Sequence, residues 1–206
     1  MIKTIASQKF KTPIGTIAFA NSLFTAKSVV EGGPKKYGCT LIWDDTVDKT
    51  GFQKAVKEVA DGAWGDKFEA KRKAGIIKMP FLQGDGPQAH NKGSGELYQG
   101  FGPGKFFIRP QSGEKQPPVV RWNDPNIPAD ETQVYSGCKV WAVIHAFSWW
   151  HQTGGEGISF GLDMIRKIDD GERLGGGGPV DAEKWWDGDL PATKPAGNGS
   201  SSGLFD

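Results

Sequence analysis

The stretch Val134-Tyr-Ser-Gly-Cys-Lys-Val-Trp-Ala-Val-Ile-His-Ala-Phe-Ser-Trp-Trp150 decides the fold by its alternation. One parity holds Cys138, Val140, Ala142, Ile144 and Ala146; the other holds Lys139, Trp141, Val143, His145, Phe147 and Trp149. Alternate side chains on a strand project to opposite faces, so small apolar groups line one side and bulky rings with basic groups line the other. A run this long exceeds an ordinary strand, which predicts one that bends as it passes around a small barrel.

Working outward, Gly157 to Ile168 supplies a further strand that ends at Asp169-Asp170-Gly171. Upstream, Tyr37-Gly-Cys-Thr-Leu-Ile-Trp43 reads as a strand stopped by Asp44-Asp45, and Thr16 to Phe24 as an earlier β-prone region. Lys105-Phe-Phe-Ile-Arg109 and Val119-Val-Arg-Trp122 are short strands expected to pair as a hairpin across a proline-containing turn. Between them and Asp44 the period changes. Asp48 or Thr50 caps a predicted helix with Phe52, Val56, Val59 and Ala63 on one stripe, and Asp66 to Lys73 is a shorter helix or a basic extended segment. Gln83 to Gly104, rich in glycine, reads as a long mobile loop.

Thirty glycines and thirteen prolines among 206 residues favour short strands and many turns over a helical bundle. The expected architecture is all-β with minor helix, a five-stranded barrel with an inserted helix over residues 1–178, followed by a flexible acidic tail over 179–206. That tail holds Asp181, Glu183, Asp187, Asp189 and Asp206 against Lys184 and Lys194, a local charge of −3, which leaves +4 on the body out of an overall +1. Such a division suits a nucleic-acid binder whose tail competes for the binding surface. Apolar runs fall short of the roughly 20 residues of a membrane span, and no signal-peptide pattern opens the chain, so a cytoplasmic location is expected. Cys39 and Cys138 each sit in an apolar run and are read as buried, reduced thiols.

Single-stranded nucleic acid presents flat bases and a charged backbone, so a non-selective binder needs exposed rings interleaved with Lys and Arg. Eight Trp and twelve Phe are available, many beside a base. Candidate stacking residues are Trp141, Phe147, Trp149, Trp122 and Phe107; candidate phosphate contacts are Lys139, Arg109, Arg121 and Lys105. The competing reading of each ring is core packing. For the 139–149 set, an unpaired lysine on the same face argues against burial.

Enzyme motifs fail on context. Gly157-Ile-Ser159-Phe-Gly161 matches a nucleophile elbow, yet no histidine follows His151 and no helix follows the serine. Gly104-Lys105 is followed by Phe106 rather than Ser or Thr, and no zinc-ligand spacing occurs. Asp44-Asp45 and Asp169-Asp170 read as strand-ending turns, with a metal-dependent nuclease kept as an alternative. A structural or partner-binding protein that uses its rings only as core is a third reading. No cofactor or metal is expected.

Tyr37-Gly-Cys-Thr-Leu41, Tyr135-Ser-Gly-Cys138, Gly157-Ile-Ser-Phe-Gly-Leu162 and Asp170-Gly-Glu-Arg-Leu-Gly-Gly176, in that order, resemble a phage family of single-stranded-DNA-binding proteins first known only as a domain of unknown function. The resemblance runs from about residue 10 to 190. It implies an OB-fold, sequence-independent binding of single strands, and a role in phage DNA replication, recombination or repair within the infected host. The terminus ending in Phe205-Asp206 is similar in kind to the tails with which such proteins contact polymerases and other replication partners.

Overall fold

A computed structural model describes residues 4–28 and 32–175. The tail expected over 179–206, with Phe205 and Asp206, lies outside the described residues.

Two long strands organise the molecule: β10 (Lys139–His151) and β11 (Gly155–Asp169), joined by a three-residue turn into an antiparallel hairpin. The alternation read from the sequence is what folds them. Val140, Ala142, Ile144, Ala146 and Ser148 are at most 1% exposed, while Trp141, Val143, His145, Phe147 and Trp149 are half-buried on the opposite face. The register slips between Lys139 and Val140 and between Val143 and Ile144. Such bulges add a residue to one strand and sharpen its bend, which lets a hairpin of this length curve.

Short strands dock on both edges. β2 (Gly15–Ala18) pairs with β10, then β4 (Thr40–Asp44), β7 (Lys105–Ile108) and β6 (Leu82–Gln83) continue outward on that side. β1 (Phe10–Lys11) pairs with β10 further along its length. On the other side β11 takes β5 (Ile77–Lys78), β8 (Gln111–Gly113) and β9 (Val119–Arg121) in parallel, and β3 (Lys36–Gly38) closes the row on β8.

The described residues therefore form a mostly β fold whose hydrogen-bonded path is open, ending at β3 and β6, with eleven strands. The expected closed five-stranded barrel is corrected on this point. The ladder breaks at Arg109-Pro110, between β7 and β8, and proline brings no N–H to continue it. The expected hairpin between Lys105–Arg109 and Val119–Trp122 does not form either. β7 pairs with β4 and β6, while β9 runs parallel to β11 through Met164, Ile165 and Arg166. The single strand expected over 37–43 is split at Cys39, whose N–H donates to the Pro110 carbonyl at 3.4 Å.

Helix α1 (Thr50–Ala63) follows the predicted stripe, burying Phe52, Ala55, Val56, Val59 and Ala60. Asp48 steadies its start by accepting from the Thr50 N–H at 2.9 Å and the Thr50 hydroxyl at 2.6 Å. Phe52 inserts between strands, edge-on to Phe10, Trp43 and Phe160 with ring centroids 5.2–5.9 Å apart. Edge-to-face contacts of this kind add to the area buried. Of the two alternatives given above for 66–73, residues 68–73 take the helical one, α2 (Phe68–Lys73). Its Lys71, together with the Trp64 indole, pairs with buried Glu156 at the tip of β11.

A second, smaller core holds Ala18, Ile42, Ala89, Phe101 and Phe107 on the far side of β2, β4 and β7. The glycine-rich 83–104 segment builds its cover. Phe101 meets Phe107 at 4.9 Å, His90 bridges Leu97, and Arg109 donates to the Gln88 carbonyl at 2.7 Å. What reads as a mobile loop is thus packed down by its own apolar residues. Both cysteines are buried free thiols, and burial pushes the Cys39 thiol far up.

Candidate nucleic-acid interface

Residues directly opposite on paired strands share a face, so the ring-bearing side of β10 can be read across the sheet row by row. Trp141 faces Arg166, which faces Arg121 on β9. The next row runs Lys11, Val143, Met164, Val119, and the next His145, Gly161, Gln111, Gly38. Phe147 lies opposite Ser159, and Trp149 opposite Gly157 and then Lys78. From Trp141 to Trp149 the ridge spans roughly 27 Å at about 3.4 Å per residue.

Two glycines shape this ridge. A Cβ at Gly161 would meet the His145 ring at 2.3 Å, and one at Gly157 would meet the Trp149 ring at 2.7 Å and the Lys78 carbonyl oxygen at 2.6 Å. Both rings therefore lie across β11 in slots that only glycine leaves open. The Trp149 indole N–H is buried and has no acceptor among the described residues. An unmet buried donor is costly and calls for an explanation.

Cations flank the rings. Lys11 Nζ lies 5.3 Å and the Arg166 guanidinium 5.4 Å from the Trp141 ring, and Lys78 Nζ lies 5.9 Å from that of Trp149. Arg166 is aimed by donating to the Asn123 carbonyl. One carboxylate interrupts the field: Asp163, the extra residue at the β11 bulge, held by Lys9 at 2.5 Å and His145 Nδ1 at 2.7 Å. With its charge compensated locally, the face presents rings between Lys and Arg groups that have no ion-pair partner among the described residues.

The candidates drawn from the sequence fall into three groups. Trp141, Phe147, Trp149 and Arg121 share the face, with Arg109 in a trough of about 180 Å³ beside Trp149, Lys78 and Ser159. Lys139 is exposed at the other end, donating to the Thr16 hydroxyl at 2.9 Å, and with Lys105 it lines a cleft of about 520 Å³. Lys105 itself donates to the Gly100 carbonyl and does not reach the ridge.

Phe107 and Trp122 take other roles. Phe107 is 0% exposed in the second core, where the neighbouring Phe101 and the Arg109 guanidinium cover its ring. Phe106 and Phe107, both between Lys105 and Arg109, are buried in opposite cores, a pattern that adjacency in sequence cannot tell from an exposed one. Trp122, next in chain to Arg121, points to the opposite side. It lies 4.4 Å from Lys167 Nζ, a buried cation that also donates to the Gln133 carbonyl and Asp170. Trp122 thus lies over a buried charge, away from the ridge.

Sequence reasoning missed Lys9, Lys11, Arg166 and Lys78. Lys9-Phe10-Lys11 alternates around an inward phenylalanine, and Arg166 shares the outward parity of its strand, so both signals were present. Lys78 sits in a two-residue strand with no periodicity to read.

Ser159 of the elbow-like motif is in mid-strand opposite Phe147. Of the acid pairs, Asp45 is joined to Lys49 and Asp170 to Lys167 and the Tyr135 hydroxyl, the Lys167 and Tyr135 hydrogen bonds holding the Asp170 carboxyl below its ordinary range. Among the described residues no group of three or more His, Cys, Asp or Glu could hold a metal ion, and no helix is long and apolar enough to cross a membrane.

The body is mostly β and carries a row of half-buried rings between basic side chains, the combination of stacking platforms and cations by which single-strand-binding proteins as a class hold their ligand. The chain belongs to the family of the Enterobacter phage Enc34 ssDNA-binding protein, whose model matches residues 11–192. This agrees with the resemblance carried by the four sequence segments. Among solved structures, the single-stranded DNA-binding protein from bacteriophage Enc34 in complex with ssDNA is similar at 20% identity and TM-score 0.56, covering 81% of this chain and 89% of that one. The Enc34 protein on its own gives 19% identity and TM-score 0.54 over 86% and 89%. Also similar is gp2.5, a single-stranded DNA binding protein encoded by bacteriophage T7, at 13% identity and TM-score 0.52 over 96% and 100%. At these identities the structures speak for the fold. No curated protein sequence matches the chain.

Proposed function

We propose that this protein binds single-stranded DNA without regard to sequence, along the outer face of β10 and β11, in phage DNA replication, recombination or repair in the host cytoplasm. The observation that carries the reading is the shared face of Trp141, Phe147 and Trp149 with Arg121, Arg166, Lys11 and Lys78 beside them. Each base stacked on a ring contributes about 1–3 kcal/mol whatever its identity, and each neutralised phosphate adds a salt-dependent term, so affinity does not require sequence readout.

The strand connectivity supports an OB-type arrangement within the larger sheet. β2 pairs with β4, β4 with β7, β2 with β10, and β10 with β11, while β8, two residues beyond β7, meets β11 in parallel. Counting β7 and β8 as one interrupted strand gives five. The acidic segment after residue 178 competes with DNA for the basic face, and Phe205 with Asp206 offers replication proteins such as a polymerase a docking end. The protein acts by coating its ligand and catalyses no reaction on it.

Anisotropy with labelled oligonucleotides tests this. Unrelated single-stranded sequences bind with closely similar affinity, duplex binds far more weakly, and the strand stays intact in Mg²⁺. Degradation in Mg²⁺ would support a nuclease instead, and absence of binding to any nucleic acid would support a structural protein.

A further inference from the structure

The two ends of the ridge differ in charge. β9 lies beside residues 164–166 of β11 at the Trp141 end, and β5 beside Glu156 and Gly157 on the same edge at the Trp149 end, roughly 30 Å away at about 3.4 Å per residue. Residues 123–131, which follow β9, hold Asp124, Asp130 and Glu131 and no basic residue, a charge of −3. Residues 66–78, which lead through α2 into β5, hold Lys67, Lys71, Arg72, Lys73 and Lys78 against Asp66 and Glu69, a charge of +3. Neither the three acids of the first segment nor Lys67, Lys73 and Lys78 of the second are in an ion pair among the described residues.

Each segment also holds one isoleucine out in solvent on a fixed turn. Ile127 is 48% exposed, while its N–H donates to the Asp124 carbonyl at 3.1 Å and its carbonyl accepts from the Trp122 N–H at 2.9 Å. Ile76 is 52% exposed just past α2, where Gly75 at φ 70° turns the chain and the Ile76 N–H returns to the Lys71 carbonyl at 3.0 Å. In a helix ending of this kind the residue after the glycine usually packs back on the helix. Ile76 stays more than half exposed instead. Turns held by their own hydrogen bonds have little freedom left to lose on contact.

Three acids at one end of a face that binds a polyanion work against its ligand unless something cationic meets them. We infer that neighbouring copies of this chain on one DNA strand meet head to tail, the 123–131 turn of one against the 66–78 segment of the next, with Ile127 on Ile76 and Glu131 facing Lys73. A strand that follows the ridge leaves each copy at its basic end and enters the next at its acidic end. The contact joins two different patches, so it repeats along the strand without closing. Two isoleucines with flanking charges fall far below the roughly 1,200 Å² of a stable interface, so the contact acts where a shared strand holds the copies close. This inference rests on the single-strand reading above and adds to it a contact between copies.

The test compares the affinity of the full chain for a short oligo(dT) that holds one copy with its affinity per site on long poly(dT). The long strand binds about tenfold tighter, the size expected of one exposed apolar contact with a surface ion pair, and the ratio shrinks as salt rises. Ile127→Ser brings the ratio to about threefold or less. Glu131→Lys and Lys73→Glu each lower it, and the two together in one chain restore it, because every junction then carries the reversed pair. These side chains are exposed and the melting temperatures hold, while the ratio cancels any direct effect of a variant on DNA contact.

Equal affinity of the wild type for the two lengths, a wild-type ratio in the single variants, or a double charge variant as low as either single would overturn the inference and leave the function standing. Trp141→Ala serves as the ridge control, weakening binding to both lengths alike. If the wild-type protein binds no single strand of either length, both fall together.

Discussion

Trp141→Ala separates the two energetic contributions to binding. The ring is half-buried, between Lys11 and Arg166 at 5.3 and 5.4 Å. Removing it forfeits two exposed cation–π contacts of about 0.5–1 kcal/mol each and leaves both cations in place. The fold is therefore weakened by only about 1–2 kcal/mol. One lost base stack costs about 1–3 kcal/mol, a fall of roughly 5- to 150-fold in affinity. Because the charges remain, the salt slope does not change. Anisotropy titrations of wild type and variant against oligo(dT) at several salt concentrations, with thermal melts alongside, measure all three quantities. A folded variant with wild-type affinity would refute the stacking role, and one whose salt slope collapses would show that the ring acts by placing charge.

Phe107→Ala is expected to do the reverse, costing about 3–5 kcal/mol of stability as a fully buried ring is lost, or roughly 6–20 °C in melting temperature, read by calorimetry. Gly161→Ala drives a Cβ into the His145 ring at 2.3 Å, so the ring is displaced, and oligo(dT) affinity falls by about threefold to tenfold in the same titration. Burial opposes ionisation of Glu156, but hydrogen bonds from Lys71 and Trp64 outweigh it and hold the carboxyl below its ordinary range. A lowered folded pKa gives stability that is full above the unfolded value of about 4.3 and is lost as pH falls through the lower folded one. Glu156→Gln accordingly costs about 1–3 kcal/mol near pH 7 and flattens the acid limb of a melting profile below about pH 4. Deleting residues 179–206 is expected to tighten oligo(dT) binding measurably at low salt, where competition by acidic groups is strongest.

How much of this was legible depends on the length of the periodic signal. The 134–150 run carries enough alternations to separate its buried face from its half-buried, ring-bearing one, and the 52–63 stripe does the same for α1. Pairing partners are another matter. The 105–109 and 119–122 segments look like a hairpin because they are adjacent in sequence, but β7 is taken up between β4 and β6, and β9 lies along the edge of the bent β11. Phe107 and Trp122 were misplaced because a ring beside a base in a short strand carries no parity record of which side faces the core. Lys78 reaches the ridge only through cross-strand register, which the sequence does not display, whereas the alternation around Phe10 and along β11 marks Lys11 and Arg166 as outward. The cover formed by Ala89 and Phe101 was hidden by the glycine content around them.

The most direct measurement is the intrinsic tryptophan fluorescence of the full chain titrated with oligo(dT) at low and at high salt. Trp141 and Trp149 on the open face should be quenched as bases stack on them, with a midpoint that moves to much higher oligonucleotide concentration as salt rises. Emission that stays constant through a low-salt titration would mean that these rings never meet a base, and the proposed surface would be wrong.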